Sequence, residues 1–433
     1  GGNDKIFGGT GHDQLYGDDG DDQLQGEDGT DTLYGGGGAD TLKGGLGNDL
    51  IYSQSGNYFY NGDTGTEKDT VDAGDGNDTV VIGVGDSANG GTGTDVIGLS
   101  FSASSVGVTY ALKAAATTLA NGTTISGFET LQFAGSSGVD TITGGDNNDA
   151  LYGGGGNDVL KGGAGIDTLD GQDGDDQLYG GEGGDVLSDS GTTGNDKLYG
   201  GAGNDYLYNG TGQDELNGEA GDDIIFLGDY DFAADTANGG DGIDKVSYVS
   251  AYNSVVVDLA NQGKNDGGAI GDKYVGIENL EGSALDDKLS GDARANTLEG
   301  NGGDDTLEGR GGNDRIDGGL GADVMSGGDG ADTFVLRADY VYAGSGWQAD
   351  EITDFVRGTD KLEISQYAFG FNLSFSAGAG VSSGTDATPH LHFDTDTSRL
   401  WLDRDGNVDD GEPILIATLT GVTTLALSDI VII

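Results

Sequence analysis

Aspartate recurs in this chain at one fixed phase. In residues 35–52, GGGGADTLKGGLGNDLIY, the phrase Gly-Gly-x-Gly-x-Asp-x-apolar-x is spelled twice without a gap. Each copy carries one acid, Asp40 or Asp49, and one committed apolar residue, Leu42 or Ile51. The same acid precedes them at Asp13, Asp22 and Asp31, and follows at Asp78 and Asp95 after a degraded stretch. A second series runs Asp140, Asp149, Asp158, Asp167, Asp176, Asp185, Asp196, Asp205, Asp214 and Asp223, with Asp244 after a gap. A third holds Asp287, Asp305, Asp314, Asp323 and Asp332. Asn296 stands in that series where an acid is due, so one site there is expected to be weaker.

Carboxylates set among glycine turns are hard oxygen ligands. Two phrases make one flattened coil, so acids eighteen residues apart fall on the same edge. Stacked coils lie about 4.8 Å apart. An ion between them takes two carboxylates and several backbone carbonyls, here those of the turns at Gly8, Gly35, Gly44, Gly153, Gly162, Gly200, Gly309 and Gly318. That is a calcium site; magnesium prefers to keep its waters and a small octahedron. In the second series Asp140, Asp158, Asp176, Asp196 and Asp214 are expected on one edge. Asp149, Asp167, Asp185, Asp205 and Asp223 are expected on the other, the two extra residues near Ser190 bulging outward. On the order of twenty calcium ions would offset roughly 40 negative charges.

The elements that position these acids follow from the same phrase. Glycines at its first, second and fourth places allow positive φ and close backbone approach. The closing x-apolar-x has the alternation of a short strand with its apolar residue inward. Stacked coils then form two parallel sheets, a β-solenoid. One aliphatic side chain per nine ordered residues falls well short of the conformational entropy lost. Cation binding has to supply the difference.

The composition agrees. The 433 residues include 89 Gly, 2 Pro and no Cys, and 76 acids against 18 Lys and Arg give a formal charge of −58. Such values ordinarily signal disorder, but disorder needs no period. The charge excludes nucleic acid as a partner, and the absence of cysteine excludes disulfides and thiolate metal sites. No signal-peptide pattern opens the chain. It starts inside a repeat, GGNDKIF, without Met, and is expected to be the C-terminal part or a processed form of something longer. The apolar tail, PILIATLTGVTTLALSDIVII, is β-branched and broken by Thr, Gly, Ser and Asp, which predicts strands and no transmembrane segment.

Six segments are expected: a first repeat block at 1–98, a non-repeat β segment at 99–134, a second block at 135–247, a second non-repeat segment at 248–281, a third block at 282–335, and an end domain at 336–433. The two non-repeat segments are alike. ISGFETLQFAGSSGVDTITGGD lines up with YVGIENLEGSALDDKLSGD, implying a duplicated unit of about 147–149 residues.

The phrase resembles the calcium-binding nonapeptide of RTX proteins, the haemolysin-type repeats, and more than half the chain is written in it. The resemblance implies an all-β fold, a right-handed parallel β-roll that folds on binding calcium. It also implies a Gram-negative bacterium, export through type I secretion machinery, and an extracellular or cell-surface location. EITDFVRGTDKLEIS, at 351–365, resembles the segment that follows the last repeats in secreted RTX proteases, lipases and alginate epimerases. The ending LSDIVII, with Asp429 before four apolar residues, resembles the uncleaved secretion signal of the protease-like branch. The large pore-forming toxins usually end differently. Low cytosolic calcium would keep the acidic repeats unfolded for export, and millimolar calcium outside would fold them.

Other signals are weaker. Tyr16, Tyr34 and Tyr52, and Tyr179 with Tyr199, are expected as outward ladders, either stabilising neighbouring strands or forming a sticky face. Asp403, Asp405, Asn407 and Asp409 alternate as in an EF-hand, but glycine is misplaced and Ile414 holds the twelfth place, so they read either as a polar hairpin tip or as an extra calcium site. His390 and His392 share a strand face without a third ligand, and GVSSG at 380–384 lacks the context of a nucleophile elbow. Thr10, Thr92, Thr193 and Thr211 are too scattered for an ice-binding array. No catalytic motif occurs, so no catalysis is expected in this chain. Two functions compete: a structural, adhesive or surface-layer protein that assembles with itself or with cell-surface glycan, and the folding and secretion half of an exoenzyme whose protease, lipase or epimerase domain lies upstream. An RTX toxin is a third reading.

Overall fold

The short alternating strands of the phrase pair in parallel, each with the strand two phrases on. The structure, a computed structural model, describes residues 1–54, 67–113, 115–191, 193–228, 233–337, 348–364, 374–380, 389–403 and 413–433. These residues are nearly all β. They fall into two compact units, Gly1–Asp223 and Ile224–Ile433, so the division lies inside the second repeat block.

In the first unit one side is a continuous parallel sheet. Its strands are Gln14–Asp19, Thr32–Gly37, Leu50–Tyr52, Thr79–Ile82, Val96–Ser100, Thr130–Ala134, Ala150–Gly155, Thr168–Asp173, Val186–Ser188 and Tyr206–Tyr208. The register aligns Leu15, Leu33, Ile51, Val80, Ile97 and Leu131 in one inward column, which shifts by two residues at Phe133, the partner of Leu151, and continues through Leu169, Leu187 and Leu207, all buried. A one-residue slip would turn this column to solvent, which fixes the pairing. The intervening strands build two further parallel ladders. One starts at Lys5–Gly11 and reaches Thr124–Ser126; the other starts at Thr109–Ala111 and reaches Glu215–Ala220. This is the parallel β-roll expected from the phrase.

The second unit repeats the plan. Ile225, Val246, Leu280, Leu298, Ile316, Phe334, Leu362 and Ile430 form the matching column, and all eight are buried. The register runs from Lys245–Ser247 through Asn279–Glu281, Thr297–Glu299, Arg315–Asp317, Thr333–Leu336 and Lys361–Ile364. Its last strand, Ile430–Ile432, is the chain's own tail, paired in parallel with Lys361–Ile364. The preceding Asp429 is buried, accepts the Ala426 N–H at 3.0 Å and lies 3.4 Å from Arg357 Nε. The other ladder runs from Val255–Asp258 into antiparallel pairings among Ile414–Leu419, Arg399–Asp403 and His390–Asp394, the last of which pairs in parallel with Ser374–Gly378.

The duplication read from the sequence has a structural counterpart. Asp95 donates its N–H to Glu129 Oε2 at 2.9 Å, and Asp244 to Glu278 Oε2 at 3.1 Å. Val108 donates to Asp140 Oδ1, and Val255 to Asp287 Oδ1.

Candidate metal centre

Each repeat aspartate sits between a glycine turn and a strand, two residues before the inward side chain. That place is buried, and the aspartates meet in rows. Within a row the N–H of one donates to Oδ1 of the aspartate one coil on. The first unit holds four rows. Asp22 and Asp40 lie in one, and Asp13, Asp31, Asp49, Asp78 and Asp95 in the second, with bonds of 2.7–2.8 Å. Asp140, Asp158, Asp176, Asp196 and Asp214 form the third, and Asp149, Asp167, Asp185, Asp205 and Asp223 the fourth, at 2.6–2.8 Å. In the third and fourth rows the steps are eighteen residues except where the insertion near Ser190 makes them twenty, and in the second row the steps from Asp49 to Asp78 and from Asp78 to Asp95 are 29 and 17. In the second unit Asp287, Asp305 and Asp323 form one row and Asn296, Asp314 and Asp332 another.

The second carboxylate oxygen divides these residues. At Asp13, Asp22, Asp31, Asp40, Asp49, Asp78, Asp95, Asp158, Asp167, Asp176, Asp185, Asp196, Asp205, Asp305, Asp314, Asp323 and Asp332, Oδ2 is buried and no hydrogen-bond donor reaches it. An anionic oxygen buried without a donor is costly, and repetition along a row makes a cation the natural counterpart. At Asp140, Asp149 and Asp287, Oδ2 instead accepts the N–H of Ser136, Gly145 and Ser283 at 2.8, 2.6 and 2.5 Å. Asn296 behaves like these three, its Oδ1 taking the Asp292 N–H at 2.9 Å while its amide donates to the Glu278 carbonyl at 2.7 Å.

One backbone angle decides between the two states. The residue four before an orphaned aspartate lies at positive φ where the angle is described, for example Gly154 (98°), Gly163 (121°) and Gly319 (96°). Asp18, Glu27, Gln172, Asn301 and Arg310 do so without being glycine, at 66–78°. Ser136, Gly145, Ser283 and Asp292 are not at positive φ. Turning the peptide at this place aims its N–H at the carboxylate or away from it. Holding a non-glycine residue there costs on the order of 1 kcal/mol.

The glycine turns complete a cradle. A β-carbon on Gly153 would stand 2.4 Å from Asp158 Oδ2 and 2.6 Å from the Gly171 carbonyl oxygen of the next coil. Gly8, Gly35, Gly44, Gly162, Gly200 and Gly309 face the same pair of groups, while at Gly318 Asp323 lies within 2.6 Å. The donor set is carboxylate and carbonyl oxygen only, which suits calcium and not a softer metal. Without an ion, burial pushes the carboxyls up, against the backbone N–H each accepts and with help from the row neighbours. Asp158, Asp167, Asp176 and Asp205 rise to about 7 and Asp305 to about 8.

Sequence reading missed several members of the rows. Asp69 and Asp86 continue the row of Asp40; Asp350 continues that of Asp323, and Asp360 that of Asp332. Asp235 pairs with Asp272 in the same manner. Each keeps the Asp-x-inward half of the phrase, as in Asp69-Thr70-Val71, and has the glycine half incomplete or missing. Glu129 and Glu278 take the place of an aspartate at two row ends. Among the weaker signals, Asp403 is buried at a strand end, while Asp405, Asn407 and Asp409 lie outside the described residues. Most of GVSSG lies outside them as well. His390 and His392 each meet Ser376 Oγ, at 2.7 and 2.8 Å.

Rows of orphaned carboxylate oxygens over glycine cradles define a calcium-binding β-roll. The chain belongs to the RTX calcium-binding nonapeptide repeat family, whose model matches residues 1–33, 25–60, 63–87, 132–160, 152–187, 190–216, 210–229, 281–315 and 299–334. No curated protein sequence matches it. Two solved structures similar to it are the AlgE6R2 and AlgE6R3 subunits of the Azotobacter vinelandii mannuronan C5-epimerase. The first is 32% identical, covers 35% of this chain and 90% of its own, and has a TM-score of 0.26. For the second the values are 33%, 34%, 78% and 0.24. Among the described residues no helix is long and apolar enough to cross a membrane.

Proposed function

We propose that this chain is an extracellular structural protein, a surface-layer, adhesive or matrix component, in which the calcium-loaded roll is itself the product and no catalysis resides. The observation that carries this reading is the extent of the rows, which occupy both compact units from Asp13 to Asp360. An outward face supports it. Tyr16, Tyr34 and Tyr52 stack at 4.9 and 5.1 Å, with Tyr16 half exposed, and offer a repeated aromatic surface to a second copy or to glycan. Calcium supplies two positive charges at each cradle. In this reading Asp140, Asp149 and Asp287 cap rows rather than ligate, because protein N–H groups already satisfy them. Type I export precedes folding, which waits for external calcium.

Electron microscopy and light scattering of the protein in millimolar calcium test the proposal. Ordered sheets, fibres or large assemblies support it, and dispersed monomers at high concentration overturn it. The second reading, a folding and secretion module for an exoenzyme, is favoured by the 351–365 segment. A catalytic domain preceding Gly1 in the full gene product would decide for it.

A further inference from the structure

Asp189 stands outside the repeat phase, in the turn lengthened by two residues. Ser190 beside it is exposed, whereas Asp189 itself is buried. Ser188 is in register with Asp170, so Asp189 follows its strand as Gly171 follows the one before. Its N–H donates to the Tyr208 carbonyl, the bond that Gly135 and Gly144 make to Tyr152 and Lys161. Asp189 therefore occupies the first place of the phrase, held by glycine in most turns. A side chain at that place has one direction to take. A β-carbon on Gly171 would lie 2.5 Å from Asp176 Oδ2. The Asp189 carboxylate is accordingly turned into the row.

The result is three acids at one point. Asp189 is 2% exposed, and neither of its oxygens meets a hydrogen-bond donor. Asp176 and Asp196, adjacent in the row, each have Oδ1 occupied by a backbone N–H at 2.6 Å and Oδ2 without a donor. One oxygen from each of Asp176, Asp189 and Asp196 lies within 4.8 Å of the other two, the one such group among the described residues. Oxygens on opposite sides of a calcium ion are about 4.8 Å apart, twice a bond of about 2.4 Å. All three can therefore reach a single ion.

We propose that Asp176, Asp189 and Asp196 form a three-carboxylate calcium site, distinct from the two-carboxylate sites of the repeat and the tightest in its block. The inference rests on the calcium reading of the rows. The added carboxylate raises the negative charge at the ion by one unit, and ligand charge is a main determinant of calcium affinity. Zinc and copper are disfavoured, since the site lacks nitrogen and sulfur.

The test is calorimetric titration of the calcium-stripped full chain with calcium chloride, with terbium luminescence as a second probe. The variants are D189G, which restores the residue of neighbouring turns, and D189N, which keeps the size and removes the charge. Wild type should show one class of site at least tenfold tighter than the rest. Both variants should lose that class and retain the others, with the β signal in calcium preserved. Retention of the tight class at wild-type affinity in both variants, or tighter binding in either, overturns the proposal. Should wild type bind no calcium at all, the reading of the rows fails as well, so the two failures are distinguishable. If D189G misfolds, D189N alone decides between the same outcomes.

Discussion

Asp287 and Asp305 are consecutive in one row, yet they should respond oppositely to the same substitution. Asp287 accepts the Val255 N–H on Oδ1 at 2.7 Å and the Ser283 N–H on Oδ2 at 2.5 Å. Asparagine offers one acceptor in place of two, so either orientation sets an NH2 against a buried N–H. The unpaired donor costs about 1–3 kcal/mol. Asp305 accepts the Asp287 N–H on Oδ1 at 2.7 Å, and no donor reaches Oδ2. Asparagine keeps that bond and places its NH2 where the orphaned oxygen was, so no donor is left facing another. What is lost is a ligand. In saturating calcium, D287N should keep the full number of bound ions by native mass spectrometry. Its amides in Lys288–Ser290 should exchange faster, about 30-fold for a 2 kcal/mol loss. D305N should bind at least one ion fewer. Loss of an ion from D287N together with a full count in D305N would refute the division of the rows into caps and ligands.

Three further outcomes are expected. The raised carboxyls make the metal-free roll bind protons more tightly than the unfolded chain does, with Asp158, Asp167, Asp176 and Asp205 near 7 and Asp305 near 8. Their contribution to folding is present below about pH 4 and lost as pH rises through about 7–8, so metal-stripped protein should gain β circular dichroism on acidification from pH 8 to 5. A loss of signal over that range would contradict the burial of these groups. Gly174→Ala should be severe, because φ is 149° and a β-carbon would stand 1.6 Å from the Gly156 carbonyl oxygen. A cost of about 3 kcal/mol or more is expected, against less than about 1 for Gly155→Ala, whose nearest atom is 3.7 Å away; local hydrogen exchange measures both. Arg310 holds Asp258 with two bonds of 2.7 Å, and this pairing keeps the Asp258 carboxyl below the usual carboxylate range. Arg310→Lys cannot reproduce the fork, and should lower the thermal midpoint in calcium at pH 7; an unchanged midpoint there would count against the pairing.

What the sequence made legible and what it hid have the same cause. The phrase spells out every residue whose side chain is constrained by the coil itself: the inward Leu column, the buried Asp, and glycine where a β-carbon would strike the next coil. Those positions repeat because each coil makes the same demands, and the β-roll, its two edges and most of the row membership follow. The orientation of a single peptide is not a side-chain property, so the difference between Asp287 and Asp305 lay below the resolution of the phrase. A trace of it is present nonetheless. The capping turns at 144–149, 282–287 and 291–296 carry Asn147, Leu285 and Arg294 where the phrase has its third glycine. The row members that escaped notice, such as Asp69 and Asp350, keep the strand half of the phrase and drop the turn half. The acid belongs to the strand entry, and glycine belongs to the turn; they are separate requirements that usually coincide. Asp189 is the converse case, an acid in a glycine place. Periodicity treats it as noise, whereas a buried oxygen with no donor marks it as a site. Departures from the repeat are therefore where this chain can make one calcium position differ from another, since a strict repeat can only make them alike.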